Sequence, residues 1–419
     1  MRKGSSTIYT LALGLLLLAG GYSGFAQEAT QKDNSEKDKD QDVAQTVTTM
    51  KPGETNFMMV GLVTLGFVNQ ATTNTLGGLK STSKSNSLGD VDRFEFSPMF
   101  LWRHGDKLLA EFEPSWDGSS LGVNWADISY FIAPGFIARG GYIVLPFGIY
   151  NKRLAAGWIN KLASDPVGMD MPGSDFGVEL EGGFPLGSMK WSYDISLSNG
   201  FMLNNDGTTS GVGIDAISGG DNGKTVCGRL ALLPLTNSSL ELGVSGLYGS
   251  LASQPGATFS NTNPTDRNGP TTSMYAVDLN FIKNINPMQI NIKGQYNISN
   301  VNTLNYLNPV DSTQTYTFTN TTKAAFGQIS LRPAQSKNKI LKNVELAFRY
   351  VDYHTPKNST WGQDYSEVDV ALDYWLSWRT VLKVAYENTK ADGTSSTAIT
   401  GTQGSTGVNR MIIQFSTEF

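Results

Sequence analysis

The sequence has a single cysteine, Cys227, in 419 residues. That excludes an internal disulfide and any zinc site built from several thiolates. Histidine is almost as scarce: His104 and His354 are the only two, which leaves little for imidazole-centred metal or acid–base chemistry. Charge is thin as well. Asp, Glu, Lys and Arg make up 16% of the chain, against about a quarter in an average soluble domain. Acids lead bases, 37 to 32, for a net charge of −5, so the basic footprint of a nucleic-acid binder is missing. Beyond the first twenty or so residues no apolar run is long enough for a spanning helix. What remains is a chain rich in glycine, 45 residues, with aromatics at 11% interleaved among polar side chains.

Residues 1–26 read as a secretory signal peptide. Arg2 and Lys3 form the positive start, an apolar stretch follows, and Gly24 and Ala26 supply the small residues of a cleavage site before Gln27. No cysteine follows the cut, which argues against lipid attachment. Residues 27–50 are polar, of mixed charge and nearly free of large apolar side chains, so a flexible periplasmic tail is expected there. The remainder, 51–419, reads as one unit.

In that unit apolar and polar residues take turns. Val344-Glu345-Leu346-Ala347-Phe348-Arg349-Tyr350 and Trp191-Ser192-Tyr193-Asp194-Ile195-Ser196-Leu197 are two examples. A period of two marks a strand with one apolar and one wet face. A β-sandwich or β-helix would turn the apolar face inward; a transmembrane barrel turns it outward. Three features favour the barrel. Sixteen strand-like segments can be placed, from 55–69 and 90–103 through to 379–389 and 407–419, and bacterial barrels have even strand numbers. Connections alternate between short turns, such as His104-Gly105-Asp106, and long polar loops at 70–89, 147–172, 199–222, 251–271, 300–316 and 390–406; only 117–121 breaks the alternation. Aromatics stand near strand ends: Trp102, Trp191 and Trp378 by short turns, Tyr248, Tyr350 and Tyr386 by long loops, as two lipid-interface girdles require. The last strand stops on Phe419, in the manner of outer-membrane proteins that are recognised by their assembly machinery. The fold expected is thus all-β: a transmembrane antiparallel β-barrel of about 16 strands in the cell outer membrane, in contact with its lipid.

A barrel of this size encloses an aqueous lumen, so function belongs to the lumen wall and to any loop folded into it. By strand parity Glu111, Glu113, Asp127 and Arg139 face inward, and carboxylates outnumber cations on the wall as a whole. The third outer loop, 147–172, differs from the others. Leu154, Trp158, Ile159 and Leu162 have no reason to meet water. Folded inward they would pack on the wall, narrow the pore and bring Lys152, Arg153, Lys161 and Asp165 to the constriction; an outer cap with solvated lysines is the alternative.

At this loop the sequence resembles a known family. Gly141-Tyr142-Ile143-Val144-Leu145-Pro146-Phe147-Gly148-Ile149-Tyr150-Asn151, then Trp158-Ile159-Asn160 and Asp165-Pro166, are similar to porins of the phosphate-selective O/P superfamily, and Asp175-Phe176-Gly177-Val178-Glu179-Leu180-Glu181-Gly182 resembles their next strand. The resemblance covers roughly 120–185. It implies a sixteen-stranded porin, usually a homotrimer, with its third loop in the lumen, and it makes Arg139, Lys152, Arg153 and Lys161 candidate anion contacts. The wall shows no dense arginine ladder, so the residues leave the preferred ion sign open.

Rival classes fit less well. A hydrolase would need a nucleophile with a positioned histidine, and the two histidines fall at opposite ends of the expected barrel. No calcium-loop spacing is present, and no metal, cofactor or catalytic residue is expected. A plugged receptor of about 22 strands needs a longer chain. The reading is a porin passing ions and small hydrophilic solutes; the alternative is a non-conducting structural or adhesive barrel.

Overall fold

The computed structural model of the protein describes residues 53–88, 94–154, 156–169, 171–203, 212–214, 224–253, 271–302, 306–307, 314–394 and 403–419. The signal and tail segments, 1–50, lie outside the described residues. Sixteen strands form a closed antiparallel barrel. They are β1 Thr55–Leu76, β2 Phe94–His104, β3 Leu108–Trp116, β4 Leu121–Ala133, β5 Phe136–Val144, β6 Ser174–Leu186, β7 Met189–Ser198 and β8 Thr225–Leu233. The second half comprises β9 Leu240–Ser253, β10 Thr271–Ile285, β11 Met288–Val301, β12 Asn320–Arg332, β13 Val344–His354, β14 Gln363–Trp375, β15 Thr380–Gly393 and β16 Gly404–Glu418. Closure happens at β1. One edge pairs with β2 from Thr55↔His104 to Leu65↔Phe94, and the other pairs with β16 from Leu62↔Glu418 to Leu76↔Gly404. No strand edge is left unpaired at the seam, as hydrocarbon demands.

The two faces invert the soluble pattern. Ile128, Val178, Ile195, Val244, Leu346 and Tyr248 are exposed on the outside, while Arg349, Asp369, Lys383 and Glu387 are buried inside. An apolar exterior of this extent would be an aggregation hazard in water, and it rules out the sandwich. Trp102 stands exposed near the short-turn end, with Trp191 half-buried; Tyr248, Tyr350 and Tyr386 stand exposed toward the long-loop end. Trp378 departs from this arrangement. Its ring meets Trp158 of the third loop edge-on at 6.5 Å, so its turn carries it toward the lumen and not toward lipid.

One expected loop is a strand. The segment 70–89 was expected to be irregular because it is rich in Ser, Thr and Asn. Instead β1 runs on to Leu76, turns at Gly77-Gly78, and an additional strand Leu79–Leu88 returns along it in register from Leu76↔Leu79 to Phe67↔Leu88. Both glycines have positive φ, +56° and +82°, the backbone a two-residue hairpin needs. The ribbon is polar on both faces because both meet water, which hides the usual alternation. At the other end of the chain, the strand expected from 340 begins at Val344, after a single tight turn at Leu341–Asn343.

Candidate functional site

The third loop, 145–173, leaves β5 and crosses the lumen before β6 begins. Its apolar side chains explain why. Leu154, Trp158 and Ile159 pack with the inward-facing Leu62, Met99, Trp125, Phe326, Val351 and Trp375 of the wall. Leu162 and Ala163 sit on a floor of Ala347, Ala371 and Ala385. At about 25 cal/mol per Å² of apolar surface, burying these side chains favours the lumen over water.

The loop's fold is set from within. Tyr150 donates its hydroxyl to Asp165 Oδ1 at 2.5 Å, and Asn160 Nδ2 donates to Tyr150 (3.2 Å), Ser164 O (2.9 Å) and Asp165 (3.2 Å). The loop is also held from outside. Gln295 Oε1 accepts the backbone N–H of both Ile149 and Tyr150 at 2.8 Å. Gly148 is required there: φ is +64°, and a Cβ would lie 2.1 Å from Gln295 Nε2. From the same strand Lys293 donates to Ile159 O (2.9 Å), and from β13, β15 and β16 Arg349 donates to Ser164 O (2.7 Å), Lys383 to Asn160 O (2.6 Å) and Leu162 O (2.8 Å), and Gln414 to Ala163 O (3.0 Å). At the loop's root the thiol of Cys227, fully buried, donates to Pro146 O at 3.4 Å.

The cations of the loop and of the wall beside it are already partnered. Lys152 Nζ is cradled by Glu179 (2.6 Å), Glu181 (3.0 Å) and Asp194 (3.1 Å). These three carboxylates could hold a metal ion by spacing, but the ammonium fills the cradle. Arg139 donates to Glu181 at 2.8 Å and lies 3.5 Å from Asp127 and 3.8 Å from Glu179. Arg153 pairs with Glu241 at 2.5 Å, beside an Arg229 that holds Glu241 and grips Asp278 with two nitrogens. Lys161 lies 4.5 Å above the Trp375 ring and donates to Trp158 O. Asp165 serves the internal fold of the loop. Glu111, Glu113 and Asp127 are buried on β3 and β4, with Asn124 donating to Glu113 at 2.8 Å.

Five of the eight residues expected at the site, Glu111, Glu113, Asp127, Arg139 and Lys152, thus meet in one cluster on β3–β7. Arg153 belongs to the neighbouring group on β8–β10, and Lys161 and Asp165 lie farther along the loop. Residues missed as loop anchors are Gln295, Lys293, Arg349, Lys383 and Gln414. Their inward parity was visible, but their partners are loop carbonyls, which carry no side-chain signal. His104 and His354 end β2 and β13 at opposite rims; His354 bonds Asp352 and Asp364, and His104 bonds Thr55.

The fold and lumen define a transmembrane β-barrel of the bacterial outer membrane. Among solved structures, the chain is similar to the outer-membrane channel DcaP of Acinetobacter baumannii, at 14% identity and TM-score 0.53 over 88% of this chain and 100% of that one. It is also similar to an anion-selective porin from Comamonas acidovorans (12%, TM-score 0.47, covering 87% and 100%) and to Salmonella typhi OmpF in complex with daunomycin (13%, TM-score 0.49, covering 87% and 97%). No protein-family model and no curated protein sequence matches the chain. Likeness at these identities concerns the fold.

Proposed function

We propose that the chain is a porin through which ions and small hydrophilic solutes diffuse, along a path narrowed by loop 145–173. The observation that carries this is the loop's seat: it is bonded to Glu179 and Asp194 on β6 and β7 and to Arg349 and Lys383 on β13 and β15, across the lumen of a sixteen-strand barrel. On this reading the path prefers cations. Lys152, Arg153 and Lys161 are spent on carboxylates, a carbonyl and an aromatic face, so they present little free positive charge to a solute, whereas the Glu111–Glu113–Asp127 corner is in acidic excess. A low-dielectric lumen focuses that field. The resemblance to phosphate-selective porins argues the other way, but phosphate would have to displace carboxylates from Lys152 and Arg153. The same reading makes the chain a homotrimer delivered by the outer-membrane assembly machinery through its Phe419 end, with Trp102, Trp191, Tyr248, Tyr350 and Tyr386 at the lipid headgroups.

The test is purified protein in a planar bilayer under a salt gradient. Stepwise conductance with a reversal potential on the cation side is expected. An anion-side potential would overturn the sign, and silence from folded protein would overturn the channel. A second reading, a non-conducting barrel, draws on one observation: the wall under the loop is close-packed, with Glu387, Asp369 and Arg349 at 0% exposure and an apolar cluster across the lumen.

A further inference from the structure

The acidic corner between β3 and β4 holds a carboxylate that the loop does not satisfy. Glu111 is 3% exposed, and both its oxygens are buried without a hydrogen-bond partner. Asp127, its direct cross-strand neighbour, is 7% exposed and has one oxygen in the same condition, with Arg139 no nearer than 3.5 Å. Cross-strand neighbours carry their Cβ atoms about 5 Å apart, so the two carboxylates share one space. Glu113 and Glu181 are the next acids within electrostatic reach of Glu111. The nearby cations are committed: Lys152 to Glu179, Glu181 and Asp194, and Arg139 first to Glu181. Arg139 acts on both acids through space, from 3.5 Å in the case of Asp127, but a buried carboxylate left without a hydrogen-bonded partner is strongly disfavoured.

We propose that Glu111 and Asp127 bind a divalent cation of the calcium type. Hard cations take oxygen ligands, several at a time, and flexible geometry suits calcium better than magnesium. Two carboxylates supply the charge, and water would complete the shell, since Glu113 is held by Asn124. This site is distinct from the cradle of Lys152, where an ammonium already stands. The ion would tie β3 to β4 beneath the loop.

The experiment uses full-length folded protein in detergent, stripped with EDTA, and does not depend on conductance. Equilibrium dialysis against calcium is expected to show saturable binding that weakens about tenfold or more in Glu111→Gln and in Asp127→Asn. Calcium should raise the thermal midpoint of the unaltered protein and not that of Glu111→Gln. Should either variant fail to fold, terbium offered to the unaltered protein is expected to luminesce through Trp125, which lies opposite Glu113, and to be displaced by calcium. No calcium binding at millimolar concentration, undiminished binding by a folded variant, or no sensitised terbium signal would each overturn the assignment.

Discussion

At the scale of single residues, Lys152 is the most constrained charge in the loop. Its side chain is 16% exposed and faces three carboxylates. Removing one partner of a buried ion pair costs about 3–5 kcal/mol, because the remaining charges stay buried. Lys152→Met is therefore expected to lower the thermal unfolding midpoint clearly, read by the heat-dependent gel shift of a folded barrel. Reversing the charge in Lys152→Glu with Arg153→Glu sets like charges against Glu179, Glu181, Asp194 and Glu241. The loop should leave its seat, and single-channel conductance should rise; an unchanged step size would count against the seat. In the turn between β3 and β4, Asp117 accepts the backbone N–H of Ser119 at 2.8 Å and of Ser120 at 2.6 Å. The Ser120 bonds foremost hold its carboxyl well below the usual range. A lowered folded value means that the contribution is complete above the free-aspartate range near pH 4 and fades as pH falls toward the folded value. Asp117→Asn should flatten acid sensitivity of this turn, read by hydrogen exchange at Ser119 and Ser120. That Lys152 and Arg153 belong to a loop folded inward was suggested by that loop's apolar composition. Their partners were not, since Glu179 and Glu241 come within reach only when distant strands close around one loop.

At the scale of the element, the third loop behaves as a piece of core. Its hydrophobic residues were a clear signal, and the Pro146-Phe147-Gly148 motif has a physical explanation: a left-handed turn against Gln295. Gly148→Ala would drive a Cβ into that side chain and strain the backbone by about 1 kcal/mol or more. It is expected to unseat the loop's root and to raise conductance in the bilayer, with the β-content by circular dichroism unchanged. The anchors Lys383 and Arg349 could not be paired with Asn160 and Ser164 in advance, because a carbonyl looks the same at every position. The ribbon Leu79–Leu88 was illegible for a different reason. Alternation reports a difference between two environments, and here both faces have the same one.

At the scale of the whole molecule, closure rests on β1 and the chain end. Phe419 donates its N–H to Gly61 O at 3.0 Å and accepts from Gly61 N at 3.1 Å, and its ring stacks on Phe96 at 6.1 Å. Deleting Phe419 removes both seam bonds and is expected to slow barrel assembly, seen as a larger unfolded fraction on a heat-modifiability gel; assembly at the normal rate would assign the end no such role. The strand number and the inside-out polarity were legible because a closed sheet repeats one simple rule sixteen times. How full the lumen is was not, since that depends on where one long loop comes to rest.

The lone cysteine gives this architecture its own clock. The Cys227 sulfur lies beneath Pro146, where the loop begins. A maleimide can reach it only while that root is lifted, so the rate of labelling counts the excursions of the loop in a chain with no residue added for the purpose.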